Sequence, residues 1–112
     1  MKTKLIFMIL LGAVPLSAFA GGWTVQNSKI ETVRYETNFL LIKVSGGIYT
    51  LHDGCDTPNE VVLEDETVRG DRQLSLILSA MMAGKDVSFY TANCTNKWNR
   101  DYPKIWSVKI HN

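Results

Sequence analysis

The stretch "LHDGCD" puts His52, Asp53, Cys55 and Asp56 within five residues, and imidazole, carboxylate and thiolate are the groups that ligate transition metals. A closed zinc site needs four well-placed ligands, and the one other histidine, His111, is the penultimate residue. Asp53-Gly54 favours a tight turn that presents Cys55, so we read a turn rather than a metal centre, and no cofactor. For nucleophilic catalysis there is no G-x-S-x-G, and no serine or cysteine has a recognisable base in context. Glu64, Asp65 and Glu66 could supply paired carboxylates of the kind glycosidases use, but in a charged connector with no apolar surround they read as a solvated face. No catalytic residue is assigned, and the chain reads as a non-enzyme. Asn93-Cys94-Thr95 fits the glycosylation acceptor pattern; it is discounted because the leader looks bacterial and Cys94 is expected in a disulfide.

The remaining chemistry is recognition. In "NCTNKWNRDYP", Trp98 and Tyr102 offer flat apolar faces, and Asn96, Asn99, Arg100 and Asp101 set directional donors and acceptors beside them. That mixture suits a sugar, which has one CH-rich face to stack and hydroxyls around its edge. The candidate ligand site is therefore Trp98, Asn99, Arg100, Asp101 and Tyr102. The competing reading makes Trp98 a lid on the core and Arg100–Asp101 a local ion pair of little energetic weight. Trp23 carries the same ambiguity.

Strands must hold these residues. "SKIETVRYE" sets Val33 and Tyr35 against Arg34 and Glu36 and reads as a first strand, kinked because Ile30 has the opposite parity. "FLLIKVS" is apolar from Phe39 to Ile42, as in a strand covered on both faces. Gly46-Gly47 suits a two-residue hairpin into a third strand, "IYTL". "VVLEDETV" is left between edge strand and loop. Asp71 is a candidate N-cap for a helix with Leu74, Ile77, Leu78 and Met81 on one stripe, and Gly84 ends it. Leu76, Ala80 and Ala83 widen the stripe, so a second surface is expected to cover part of it. "DVSFYT" and "KIWSVKI" alternate, with Val87 and Phe89 on one face and Trp106, Val108 and Ile110 on another. Strand-strand-strand-helix-strand-strand is the order of a five-stranded oligonucleotide/oligosaccharide-binding (OB) barrel, mostly β with one helix; an open α+β sheet is the alternative.

The ends and composition place the domain. "MKTKLIFMILLGAVPLSAFA" has Lys2 and Lys4, an apolar run and Ala18-Phe19-Ala20, which predicts a signal peptide over residues 1–20 cleaved after Ala20. The run is too short to span a bilayer, and no membrane insertion is expected. Residues 21–112 then form one domain, periplasmic or secreted. Cleavage lowers Lys plus Arg from 12 to 10 against 11 acids, a net charge of −1 with no basic face for nucleic acid. Cys55 and Cys94 both remain, and in an oxidising compartment they predict an intramolecular disulfide.

"RQLSLILSAMMAGKDVSFYTANC", a helix running through Gly-Lys into an alternating strand that ends at a cysteine, is followed by "YPKIWSVKI". The pattern resembles small exported bacterial OB-fold proteins of unassigned function and, more distantly, the cell-binding B subunits of pentameric AB-type toxins, the subtilase and pertussis-like toxins. The likeness runs from about Lys29 to the C-terminus. It implies an OB-type barrel and, on the toxin branch, a homo-pentameric ring with helices around a pore, each copy binding a glycan. No glycan-contact residue carries over by motif. A glycan is favoured over a protein as ligand; the alternative function is a monomeric periplasmic structural or stress protein that binds another bacterial protein.

Overall fold

In the computed structural model, which describes residues 21–64 and 68–112, the chain runs β1 (Gly22–Tyr35), β2 (Phe39–Ser45), β3 (Ile48–Tyr49), β4 (Glu60–Glu64), α1 (Val68–Ala83), β5 (Asp86–Lys97) and β6 (Arg100–Ile110). The expected signal segment and the acids Asp65 and Glu66 lie outside the described residues. β1 pairs antiparallel with β2 on one side and β5 on the other; β2 pairs with β4, and β5 with β6. The ring closes where β4 meets β6 in parallel at Val62 and Lys104. Five strands in the order β1-β2-β4-β6-β5, with α1 between the third and fourth of the wall, make the OB-type barrel that the sequence predicts.

β2 shows why its apolar run is continuous. Leu40, Ile42 and Val44 point inward with Val61 and Leu63 of β4, Val25 of β1 and Val87 and Phe89 of β5. Phe39 and Leu41 point outward and join Val62 and Tyr102 in a second cluster on the wall's outer surface. α1 plugs the barrel with Ile77 and Ala80, and Gln73 Nε2 donates to the Trp106 carbonyl at 2.8 Å. Between β1 and β5 the buried hydroxyls of Thr24 and Thr91 satisfy each other at 2.5 Å, as buried polar groups must.

Four elements depart from the sequence reading. The third wall strand is Glu60–Glu64, from the segment left ambiguous, whereas "IYTL" gives only the two-residue β3. Gly46-Gly47 is not a hairpin turn, because β3 pairs with β1, continuing the line that β2 follows along the same strand. The two glycines, both at positive φ, bend that line; a Cβ on Gly47 would sit 2.2 Å from the Gln26 carbonyl oxygen, so the backbones approach too closely for a side chain. The helix begins at Val68, which places Asp71 in its first turn, where a carboxylate complements the helix dipole, rather than at the N-cap. Its C-terminus is as expected: Gly84 at φ 66 with Lys85 N–H to Ala80 O and Gly84 N–H to Met81 O, a Schellman cap. Finally, β6 bulges at Trp106, where the register with β5 shifts between Tyr90 and Thr91. The bulge turns Trp106 outward, and Ile105 takes its expected place beside Val108 and Ile110.

The predicted disulfide is present: Cys55 and Cys94 are bonded. It ties the 50–59 segment to β5 at a bulge. Asn93, at φ 66, turns its N–H out of the ladder toward Asp53 Oδ2 at 2.9 Å. The Asp56 N–H donates to the Asp101 carbonyl at 2.7 Å, and the Asp101 N–H donates to Asp56 Oδ2 at 2.7 Å. Asp53 and Asp56 of the "HDGCD" turn are thus engaged with backbone of the β5–β6 hairpin.

Candidate functional site

Beyond the bulge at Asn93, β5 and β6 continue as a hairpin through four consecutive pairs, from Cys94–Pro103 to Lys97–Arg100. Most of "NCTNKWNRDYP" is therefore strand, and only Trp98 and Asn99 form the turn. Both have positive φ, 52° and 61°, the signature of a type I′ turn, whose twist matches the flanking strands. Asn accepts this conformation readily. A bulky residue does not, and Trp98 carries about 1–2 kcal/mol of strain from its position in the left-handed region.

Contacts across the outer wall hold Trp98 there. Its ring meets Phe39 edge-on at 5.4 Å and Tyr102 at 6.3 Å, and the Arg34 guanidinium lies 5.0 Å from its centroid. It nonetheless remains 54% exposed. Trp98 therefore covers the outer cluster of Phe39, Leu41, Val62 and Tyr102, rather than an end of the barrel.

Strand alternation divides the five predicted site residues. Arg100 and Tyr102 share one face of β6, and that face lies against the outer wall. Tyr102 is only 5% exposed and supports Trp98 from beneath. Arg100 Nη1 lies 3.6 Å from Glu60 Oε1, so its partner is across the barrel wall and not the adjacent Asp101. Asp101 lies on the opposite face, where its carboxylate accepts from Asn96 Nδ2 at 2.9 Å. Asn99 is exposed at the tip. The structure thus brings Trp98, Arg100 and Tyr102 together and directs Asp101 toward the disulfide-linked loop.

Sequence reasoning missed several members of this surface. Arg34 pairs with Glu36 at 3.1 Å, and Lys97 pairs with Glu64 at 3.4 Å while lying 4.5 Å above the Phe39 ring. Glu64 also accepts from Thr95 Oγ1 at 2.8 Å, so it serves the hairpin rather than an acidic cluster. Phe39 and Leu41 gave a signal that was available: an apolar run on both faces of a strand requires an outer cover. Chemically, the surface is an exposed indole on an aromatic shelf, flanked by Arg34, Lys97 and Arg100, each matched to a carboxylate. It offers stacking and directional hydrogen bonds, and Lys104, exposed on the same face of β6 beside Val62, is a cation with no carboxylate partner among the described residues. It occupies the outer face of the second and third wall strands, between the β1–β2 and β5–β6 connections, where OB folds hold ligands.

Comparison of the chain with family models, curated proteins and solved structures yields no match. The resemblance to toxin B subunits rests on the sequence pattern alone.

Proposed function

We propose that this protein is a non-enzymatic, exported binding domain that holds a neutral glycan on the Trp98 shelf. One observation carries the reading: a tryptophan kept half exposed at the ligand position of an OB barrel, in a backbone conformation that disfavours it. Charge supports the ligand class. Arg34, Lys43, Lys97 and Arg100 each lie 3.1–3.8 Å from a carboxylate, which lowers the attraction for polyanions and suits a hydroxyl-rich partner, with Lys104 as an unpaired cation at the edge of the shelf. The disulfide is compatible with a place beyond the cytoplasm, and no described helix is long and apolar enough to cross a membrane.

Self-assembly belongs to the same reading. The outward face of α1 carries Leu76, Leu78, Met81 and Met82, the last 89% exposed, and a ring of copies packed through their helices would cover them. The same face supports the second reading, a monomer that docks another bacterial protein. Native mass spectrometry of the disulfide-bonded protein at micromolar concentration separates them: a pentamer is expected for the ring, and a clean monomer removes it. A glycan array tests the ligand, with Trp98→Gly as the control. Binding by the wild type and none by the variant is expected; no glycan bound, or equal binding by both, overturns the proposal.

A further inference from the structure

On the side of the barrel formed by β1, β5 and β6 lies a cleft of about 210 Å³ lined by Trp23, Gln26, Asn27, Ser88, Lys109 and His111. It arises where β1 leaves its ladder. Against β5 the register of β1 shifts twice between Trp23 and Ser28, each time by an extra residue in β1, and Asn27 has φ 54. The Asn27 N–H donates instead to Ser88 Oγ at 3.1 Å. Ser88 is 5% exposed, yet it sits on the outward parity of β5, because His111 closes over it with Nε2 at 2.7 Å from the hydroxyl. His111 is fixed in turn by its N–H to the Asp86 carbonyl at 2.9 Å.

Lys109 stands directly across from Ser88 on β6 and on the same face. Lys29, Arg34, Lys43, Lys97 and Arg100 lie 2.9–3.8 Å from a carboxylate, whereas Arg72, Lys85 and Lys104, none of which lines the cleft, have no such partner among the described residues. Lys109 also forms no such pair, and it is the one cation in the cleft's lining, which contains no acid. The remaining wall is the Trp23 indole, held edge-on by Tyr90 at 5.5 Å. The cleft therefore combines an ammonium, two side-chain amides and an imidazole with one flat apolar surface. It is smaller than the roughly 300–1,000 Å³ of drug-sized sites.

We propose that this cleft is a second binding site, separate from the Trp98 shelf, for a compact organic oxyanion, a carboxylate or phosphate monoester, with its anionic group on Lys109 and its carbon skeleton against Trp23. The test uses the disulfide-bonded protein and three probes: D-glucuronate, D-glucose and inorganic phosphate. NMR titration follows the Trp23 indole and His111 ring signals. Saturable shifts with an anion and none with glucose are expected, and Lys109→Gln should weaken anion binding about tenfold or more, the worth of one charge-assisted hydrogen bond. Saturation by glucuronate alone identifies a carboxylate site, by phosphate alone a phosphate site, and by both a site for either oxyanion; each supports the proposal. Glucose binding as well as glucuronate, saturation by neither anion, or unchanged binding by Lys109→Gln overturns it. Trp98→Gly should bind the anion as wild type does; parallel loss there would move the site away from the cleft and also overturns the proposal.

Discussion

Replacing Trp98 separates its role as a cover from its role as a platform. An aromatic side chain buries about 150–250 Å² when enclosed, and Trp98 is about half covered. At about 25 cal/mol per Å², roughly 100 Å² lost to water costs ~2.5 kcal/mol, a figure that overlaps with the edge-on contacts to Phe39 and Tyr102. Trp98→Ala is therefore expected to destabilise the fold by about 2–3 kcal/mol, because alanine keeps the left-handed strain while losing the contacts. Trp98→Gly loses the same contacts but relieves the strain at φ 52, so it should recover about 1 kcal/mol of that loss. Urea unfolding of the wild type and both variants reads the order directly. Equal stability of Ala and Gly variants would mean that the positive φ is not held in solution. If neither variant loses stability, the outer cluster does not need its cover. Ligand binding, by contrast, should be lost equally in both, since neither has an indole. A variant that keeps the ligand while losing stability would leave Trp98 as a lid only.

Two further outcomes follow from the fold. Replacing Cys55 and Cys94 together by alanine should lower stability by about 4 kcal/mol, as expected for releasing a loop of this length; unfolding midpoints that match with and without reductant would show that the bond contributes nothing. Gly46→Ala and Gly47→Ala share a positive φ, but a Cβ at Gly46 meets no atom within 4 Å while one at Gly47 meets the Gln26 backbone. Gly46→Ala should cost about 1 kcal/mol and Gly47→Ala roughly 3 kcal/mol more, and equal costs in urea titrations would refute the close approach.

The wall of the barrel was legible wherever periodicity and burial coincide. Val87 and Phe89 alternate into the core, the apolar run of β2 is covered on both faces, and the misfit of Ile30 marks a register shift between β1 and β2. What failed was pairing. A Gly-Gly pair supplies positive φ equally to a hairpin turn and to a bend in a continuing strand; only the partner on β1 decides, and that partner lies about twenty residues away. Trp106 failed for a related reason, because strict alternation assigns a face that a single bulge reverses. In the candidate site, Trp98 and Tyr102 were legible from their chemistry. The ion pairs were not, since Arg100 was matched to its sequence neighbour although adjacent strand residues point to opposite faces. The cleft beside Lys109 was invisible for the same cause, since its members come from three strands that are distant in sequence.

These failures share a physical source with the surfaces proposed for binding. A regular ladder consumes its backbone N–H groups and sets side chains in fixed rows, which leaves little with which to build a site. Two bulges in this barrel each release a backbone N–H. At Asn27 the bulge frees an N–H that fixes Ser88 beneath His111, and it opens the cleft. At Asn93 it frees an N–H for Asp53 and lets the hairpin leave the barrel to carry Trp98 onto the outer wall. The disulfide at Cys94 adjoins that second bulge and anchors the base of the hairpin. A domain of this size has no spare layer on which to mount a loop-built site, and both proposed binding surfaces lie where its sheet is interrupted. Asn93, which sets the second interruption without belonging to the proposed shelf, should therefore govern binding there without touching a ligand.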